Sequence, residues 1–189
     1  QDGGYLAELL GARGNRVIGI DLQDNPAVAG IDYFSGSISD AGFLIGLVLK
    51  IEPDEIYNLA SVSQVSSSFR IPEETFAVNV LPVVRLLELM RDKLKSSRLL
   101  QATSSEIFGG RARPPYHESS PLEPLSPYAV SKEAAYHMVK LYRRAYGLFA
   151  SNAILFNHTS PRHSPNFVVA KIVRGLVEIK LGRARTIKL

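Results

Sequence analysis

Short apolar runs alternate with longer stretches of helical spacing along this chain. Arg16-Val17-Ile18-Gly19-Ile20-Asp21, Glu55-Ile56-Tyr57-Asn58-Leu59-Ala60 and Arg98-Leu99-Leu100-Gln101-Ala102-Thr103 each read as a buried strand, and residues 150–156 read as a fourth. Apolar residues recurring every three to four positions predict helices over 5–11, 40–50, 73–95, 126–146 and 166–181. Strands alternating with helices indicate βαβ units, so the expected fold is α/β with a doubly wound parallel sheet. Right-handed crossovers line the C-terminal ends of such strands along one edge, where ligands bind. Asp21, Ser61, Ser104 and Asn157 all follow strands and therefore belong to that edge.

Residues 109–127 break the pattern with two glycines and five prolines, which reads as a loop or flap because strand and helix patterns resume beyond it. No internal repeat or low-complexity tract is present. Gln1-Asp2-Gly3-Gly4-Tyr5-Leu6 runs straight into a helix, without the hydrophobic strand that a doubly wound sheet places before such a turn. Residues 185–189 read as the opening of another element. The expectation is of a sheet whose first strand lies outside this chain.

Composition narrows the classes. A length of 189 residues is enough for one sizeable core, and 46% hydrophobic with 21% charged residues is ordinary for a soluble globular protein. With no cysteine, disulfides and thiolate chemistry are excluded. His117, His137, His158 and His163 have no zinc-ligand spacing, so no metal site is expected. No apolar run is long enough for a bilayer and no signal-peptide pattern opens the chain, which makes a cytoplasmic address the default. The net charge of +4 is unevenly placed: Arg162, Lys171, Arg174, Lys180, Arg183, Arg185 and Lys188 face a single acid, Glu178, beyond Asn157. Such a segment suits phosphate groups or a solvated helix face, and it lacks the clustered aromatics of a nucleic-acid surface.

The chemistry concentrates in Ser104-Ser105-Glu106 and in Tyr128-Ala129-Val130-Ser131-Lys132. A Tyr-x-x-x-Lys pair on a helix presents both side chains to one side. An ammonium about 4 Å from a phenol, at an effective dielectric near 20, favours phenolate by ~4 kcal/mol. Because one pKa unit is ~1.4 kcal/mol, Tyr128 is expected to be drawn down from ~10 and to act as a general base for an alcohol. Glu106 offers a second base. Its bland alternatives are a solvated loop residue or an ion-pair partner of Arg111.

With those residues in place the chain resembles an extended short-chain dehydrogenase/reductase acting on nucleotide-sugars, and within that class the GDP-mannose 4,6-dehydratase family. The likeness rests on the opening Gln1-Asp2-Gly3-Gly4-Tyr5-Leu6-Ala7-Glu8-Leu9-Leu10, on Pro53-Asp54-Glu55-Ile56-Tyr57-Asn58-Leu59-Ala60, on Thr103-Ser104-Ser105-Glu106-Ile107-Phe108-Gly109 with Ser126-Pro127-Tyr128-Ala129-Val130-Ser131-Lys132, and on Ile154-Leu155-Phe156-Asn157-His158-Thr159-Ser160-Pro161-Arg162. Tyr-x-x-x-Lys alone is weak; its combination with Ser-Ser-Glu and Asn-His-x-Ser-Pro-Arg is specific. The resemblance implies a Rossmann-type NAD(P)-binding domain over 1–156 and, over 157–189, the start of a smaller nucleotide-sugar-binding part.

The resemblance also assigns roles. Gly3 would be the last glycine of a Gly-x-x-Gly-x-x-Gly pyrophosphate turn. Asp21 and Leu22, Ser37 and Ile38, Leu59, Ala60 and Ser61, and Leu155, His158 and Arg162 would border the cofactor, together with Tyr128 and Lys132. Asp21 at a strand end favours NAD, whereas the family more often has basic residues there and uses NADP; residues 22–33 contain no Lys or Arg. Ser37-Ile38-Ser39-Asp40 stands where relatives carry Asp-Leu-x-Asp, and Asp40 is expected to cap the next helix. Ser63, Asn157, Phe167, Val168 and Lys171 would contact GDP-mannose or another NDP-hexose. Ser104, Glu106, Tyr128 and Lys132 would form the catalytic set. Helices 73–95 and 126–146 would build the contact of a homodimer or homotetramer. Rival readings are a 4-epimerase or 4-ketoreductase on the same scaffold, which needs no Glu106, and a non-catalytic nucleotide-sensing module.

Overall fold

Each apolar run read as a strand is one, and each lies parallel to its neighbours. The computed structural model describes residues 1–23, 28–110 and 113–187. Its elements are α1 (Asp2–Ala12), β1 (Ile18–Asp21), β2 (Asp32–Ser35), α2 (Ala41–Ile51), β3 (Glu55–Asn58), α3 (Val65–Ser68), α4 (Pro72–Asn79), α5 (Leu81–Asp92), β4 (Arg98–Ser104), a 3-10 turn (Ser105–Phe108), α6 (Pro127–Tyr146), β5 (Ala150–Leu155) and α7 (Val168–Lys180). β3, β4 and β5 form one parallel sheet, and β1 pairs with β2 in another. The expected single ladder is thus hydrogen-bonded in two pieces among the described residues.

Two elements depart from the pattern reading. β2 escapes it, because Asp32-Tyr33-Phe34-Ser35 holds only two adjacent apolar residues and shows no alternation. The helix expected over 73–95 is two helices, α4 and α5, joined at Val80. Pro82 has no N–H to give to the carbonyl four residues back, so a continuous helix cannot pass this point, whereas the first turn of a new helix accepts proline readily.

The apolar core lies where α5 and α6 cover the sheet. Leu87 and Met90 of α5, Leu99 of β4 and Val139 of α6 are almost fully excluded from water, with Leu44 and Val48 of α2 closing the far side. Towards the strand C-terminal ends the seam between sheet and α6 turns polar. Asn58, Gln101 and Asn152 are register partners across β3, β4 and β5. Asn58 Nδ2 donates to Gln101 Oε1 at 2.7 Å, Gln101 Nε2 donates to the Ala102 carbonyl at 2.9 Å, and Asn152 Nδ2 donates to the Tyr136 carbonyl at 3.1 Å. Amides that satisfy one another in this way can stay buried without orphaned donors. α7 buries no residue, and its Val169, Val173 and Leu176 are exposed.

Gly109 ends the 3-10 turn with φ of 65°, and a Cβ there would meet the Glu123 carbonyl oxygen at 1.7 Å. Gly109→Ala is therefore expected to destabilise the protein by about 1–3 kcal/mol or more, from left-handed backbone strain plus displacement of the returning chain. Urea unfolding of the two forms measures the difference; equal midpoints would contradict this account of the turn.

Candidate active site

The site begins where β4 runs out. Ser104 Oγ accepts the Glu106 N–H at 3.2 Å and so starts the 3-10 turn, while Ile107 and Phe108 bury themselves and leave Glu106 pointing to the surface. The chain from 113 to 126 returns over this turn. Tyr116 stacks on Phe108 with ring centroids 4.8 Å apart and lies 6.4 Å from the Phe156 ring, and the Glu123 N–H donates to the Ile107 carbonyl at 2.9 Å. Arg111, the ion-pair alternative for Glu106, lies outside the described residues.

Ser126 then caps α6, its Oγ accepting the Ala129 N–H at 3.1 Å, with Pro127 in the first turn. Tyr128, Ser131, Lys132, Ala135, Tyr136 and Val139 recur at helical spacing and all face inward. Tyr128 and Lys132 are thereby brought beside Ser104. The Tyr128 phenol lies close enough to the Ser104 hydroxyl and the Glu106 carboxylate for both to act on its ionisation.

The expected downward shift of Tyr128 is not what the geometry gives. Burial pushes its pKa up from 10.0; the Ser104 hydroxyl pulls the other way, and the Glu106 charge adds to the rise. Lys132 is 3% exposed, and burial brings its amine down to about 8. Its Nζ donates to the Ala102 carbonyl at 3.0 Å and stands 5.9 Å from the centroid of the Tyr128 ring. Desolvation therefore outweighs the mutual attraction that the Tyr-x-x-x-Lys spacing suggests, and it acts on both partners.

The residues expected around a cofactor line the same edge. Gly3 lies in the first turn of α1, where a Cβ would sit 3.8 Å from Leu59, so helix and loop approach closely there. Asp21 Oδ1 accepts the Leu22 N–H at 2.7 Å and the Gln23 N–H at 3.4 Å, a strand-end turn. Ser37 Oγ accepts the Ser39 N–H at 3.2 Å, next to Ile38, and Asp40 caps α2 through the Phe43 N–H at 3.0 Å. Ala60 follows β3, and the Ser61 hydroxyl donates to Asn79 Oδ1 at 3.1 Å. Past Leu155, His158 Nε2 meets the Asp2 carboxylate at 3.0 Å; the Phe156 carbonyl at Nδ1, and then Asp2, hold the imidazole pKa above its usual value. Arg162 pairs with Glu8 at 2.5 Å and lies 4.3 Å over the Tyr5 ring.

Of the substrate candidates, Ser63 and Asn157 follow β3 and β5, whereas Phe167, Val168 and Lys171 lie at and within α7. Ser63 and Asn157 are exposed, Phe167 stacks on His163 with centroids 4.4 Å apart, and Val168 opens α7. Lys171 lines an open cavity of about 480 Å³ with Arg174, Glu178 and Arg185. Among the described residues no cluster of His, Asp or Glu is placed to hold a metal ion, and no helix is long and apolar enough to cross a membrane. The sequence reading passes over Ser68, Asn79 and Gln101, whose buried side chains bond the Tyr128 N–H, the Ser131 hydroxyl and the Ala102 carbonyl. For Asn79 and Gln101 the one signal is a polar residue inside an apolar frame.

Comparison with known proteins gives consistent matches. The family model described as GDP-mannose 4,6 dehydratase matches residues 1–189. The GDP-mannose 4,6-dehydratase of Vibrio cholerae is 40% identical over 96% of this chain and 54% of its own length. GDP-mannose 4,6 dehydratase 1 of Arabidopsis thaliana is 42% identical over 96% of this chain and 56% of its own. The chain thus spans about half the length of the curated relatives it matches. Among solved structures, the dTDP-glucose 4,6-dehydratase DesIV of Streptomyces venezuelae with NAD bound superposes with a TM-score of 0.80 at 27% identity, covering 93% of this chain and 58% of that one. The UDP-glucose 4-epimerase of Thermus thermophilus in complex with NAD gives 0.82 at 26% identity, covering 95% and 60%.

The desolvated amine makes a pH prediction. Folded Lys132 holds its proton only below about 8, while the unfolded chain holds it up to 10.5. Between those values the unfolded state binds more protons, so stability rises with pH. Lys132→Met should therefore be more stable than the parent at neutral pH, with the gap closing between pH 8 and 10.5. Paired chemical-denaturation curves across that window test it, and a gap that does not change with pH would contradict the burial of a charged amine.

Proposed function

We propose, from the premise that the chain belongs to the GDP-mannose 4,6-dehydratase family, that it carries the catalytic half of a nucleotide-sugar 4,6-dehydratase. The substrate would be GDP-mannose or a close NDP-hexose, converted to its 4-keto-6-deoxy sugar with loss of water. The observation that carries this reading is the meeting of the Ser104 hydroxyl, the Tyr128 phenol and the Glu106 charge at one strand end, with Lys132 buried behind them.

The donor set fits a nicotinamide dinucleotide. The N-terminal turn of α1 at Gly3 offers backbone N–H groups to a pyrophosphate. The Asp21 carboxylate at the end of β1 suits ribose hydroxyls and would repel a 2′-phosphate, which favours NAD over NADP. Leu22, Ser37, Ile38, Leu59, Ala60, Ser61, Leu155, His158 and Arg162 would border it, and Lys132, whose ammonium donates to the Ala102 carbonyl, would hold the nicotinamide ribose. Bound there, the cofactor would supply a hydride acceptor and donor and, while oxidised, a positive charge.

The chain's own groups do the proton work. Tyr128, its pKa raised by burial, needs added positive charge to ionise, after which it takes the proton from the sugar 4-hydroxyl while Ser104 holds the 4-oxygen. A ketone at C4 acidifies C5. Glu106, exposed and on the same turn, takes the C5 proton and passes it to the 6-hydroxyl, which leaves as water; the C5–C6 double bond left behind would be saturated by return of the hydride taken from C4 to C6 and of a proton to C5. Asn157 would meet the substrate diphosphate, with Ser63 near the sugar and Phe167, Val168 and Lys171 at the base. The 4-epimerase and 4-ketoreductase reading uses Tyr128 and Lys132 alike and leaves Glu106 without a task. Val130 and Leu141 on α6 and Phe76 on α4 are exposed and apolar, which suits a homodimer built on these helices. A soluble nucleotide-sugar substrate matches a cytoplasmic location.

Incubation of the full-length protein with GDP-mannose should yield a product lighter by one water in the mass spectrum. Glu106→Gln should slow that loss by about 100-fold or more while leaving the fold intact. Undiminished dehydration by a folded Glu106→Gln protein would refute the role of the carboxylate. A mass-neutral conversion would favour the epimerase.

A further inference from the structure

We infer that Tyr116 is a positioning residue whose ring ties the turn that carries Glu106 to the strand end that carries Asn157. This rests on the reading of Glu106 as the base that acts at C5 of a nucleotide-sugar. Phe108 stands just beyond Glu106 in the turn, and Phe156 stands immediately before Asn157. Tyr116 lies flat on Phe108, with centroids 4.8 Å apart and planes at 2°, and it meets Phe156 at 6.4 Å and 27°. Phe108 and Phe156 are themselves 6.2 Å apart. The three rings form a closed triangle at separations where aromatic side chains attract one another. Its corners come from three segments: the 3-10 turn after β4, the returning loop and the end of β5.

The loop holds Tyr116 from both sides. Pro114 and Pro115 fix φ on its approach. Immediately beyond it, the His117 N–H donates to Ser120 Oγ and the Ser120 N–H to the His117 carbonyl, both at 2.9 Å. The turn beneath has little of its own to hold it. It is four residues long, and 3-10 hydrogen-bond geometry is poorer than that of an α-helix. Side chains must anchor it, and Phe108, 2% exposed, does so under the Tyr116 ring. None of the three rings belongs to the core that packs α5 and α6 on the sheet. They set the spacing between a carboxylate assigned to C5 and an amide assigned to the diphosphate of one substrate. Misplacement of reacting groups by about 1 Å can cost on the order of 100-fold in rate, so a ring that touches no substrate can still matter to turnover.

The test compares the full-length parent with Tyr116→Phe, Tyr116→Leu, Glu106→Gln and the Tyr116→Leu, Glu106→Gln double variant. Phenylalanine keeps the stack, whereas leucine keeps bulk without a ring face. Turnover of GDP-mannose, absorbance of reduced nicotinamide, amide hydrogen exchange in peptides 105–109 and 155–158, and the unfolding midpoint are read for each. Tyr116→Leu should speed exchange in both peptides about tenfold or more while α6 keeps its protection. It should also lower kcat about tenfold or more, with KM within about twofold. Oxidation at C4 precedes the work of Glu106, so reduced nicotinamide should build up in Tyr116→Leu as in Glu106→Gln. Tyr116→Phe should match the parent. In the double variant the leucine should add nothing to the loss from Glu106→Gln, because both act through one carboxylate. Parent-like exchange in either peptide, losses that multiply in the double variant or losses that follow only the folded fraction would overturn the inference. A parent that leaves GDP-mannose intact would sink the dehydratase reading alone. Exchange in the two peptides, and its rescue by phenylalanine, would then still decide whether Tyr116 ties the two segments.

Discussion

Placing a lysine amine almost out of reach of water is the constraint around which this chain is arranged. A desolvated charge is costly unless it has partners, and Lys132 offsets part of that cost by giving up proton affinity, its pKa falling to about 8. The remainder is met by the Ala102 carbonyl, which accepts from both Lys132 Nζ and Gln101 Nε2. Gln101 is in turn held by Asn58. A sheet interior that could have been all aliphatic is polar along the one row that leads to the site.

The same requirement explains how α6 is held. An apolar seam can slide by a rotamer with little penalty, but hydrogen bonds have fixed lengths and directions. Below the site α6 packs through Ala135 and Val139, which secure the helix without fixing its register closely. Level with the site it is fixed by Ser68 at Tyr128, Asn79 at Ser131 and Ala102 at Lys132, three successive contacts within two helical turns. Stability and alignment are thus divided between different parts of one helix.

Much of this is legible in the residues. The strands at 18–21, 55–58, 98–104 and 150–155 follow from apolar runs, and the cap of α6 follows from Ser126-Pro127. The meeting of Ser104 with Tyr128 follows from strand-end and helix-start positions in a parallel sheet. What stays hidden depends on depth, which one-dimensional pattern does not encode. The direction of the Tyr128 shift requires knowing that burial exceeds the pull of Lys132. Asn79 looks like any polar helix residue until its partners Ser61 and Ser131 are in place, and the break at Val80 is written in Pro82 but masked by a strong apolar period. β2 is formed by pairing with β1 rather than by its own sequence.

The pairing of α1 with the segment after β5 bears on the order in which the molecule is assembled. α1 buries nothing and is secured by Asp2 to His158 and Glu8 to Arg162, partners 156 and 154 residues away along the chain. Closing so long a loop is entropically slow. A helix synthesised before all five strands described here is then among the last elements to dock. The turn at Gly3 that it carries takes its place only after β5 is laid down, so any site built on that turn would form as a late event of folding.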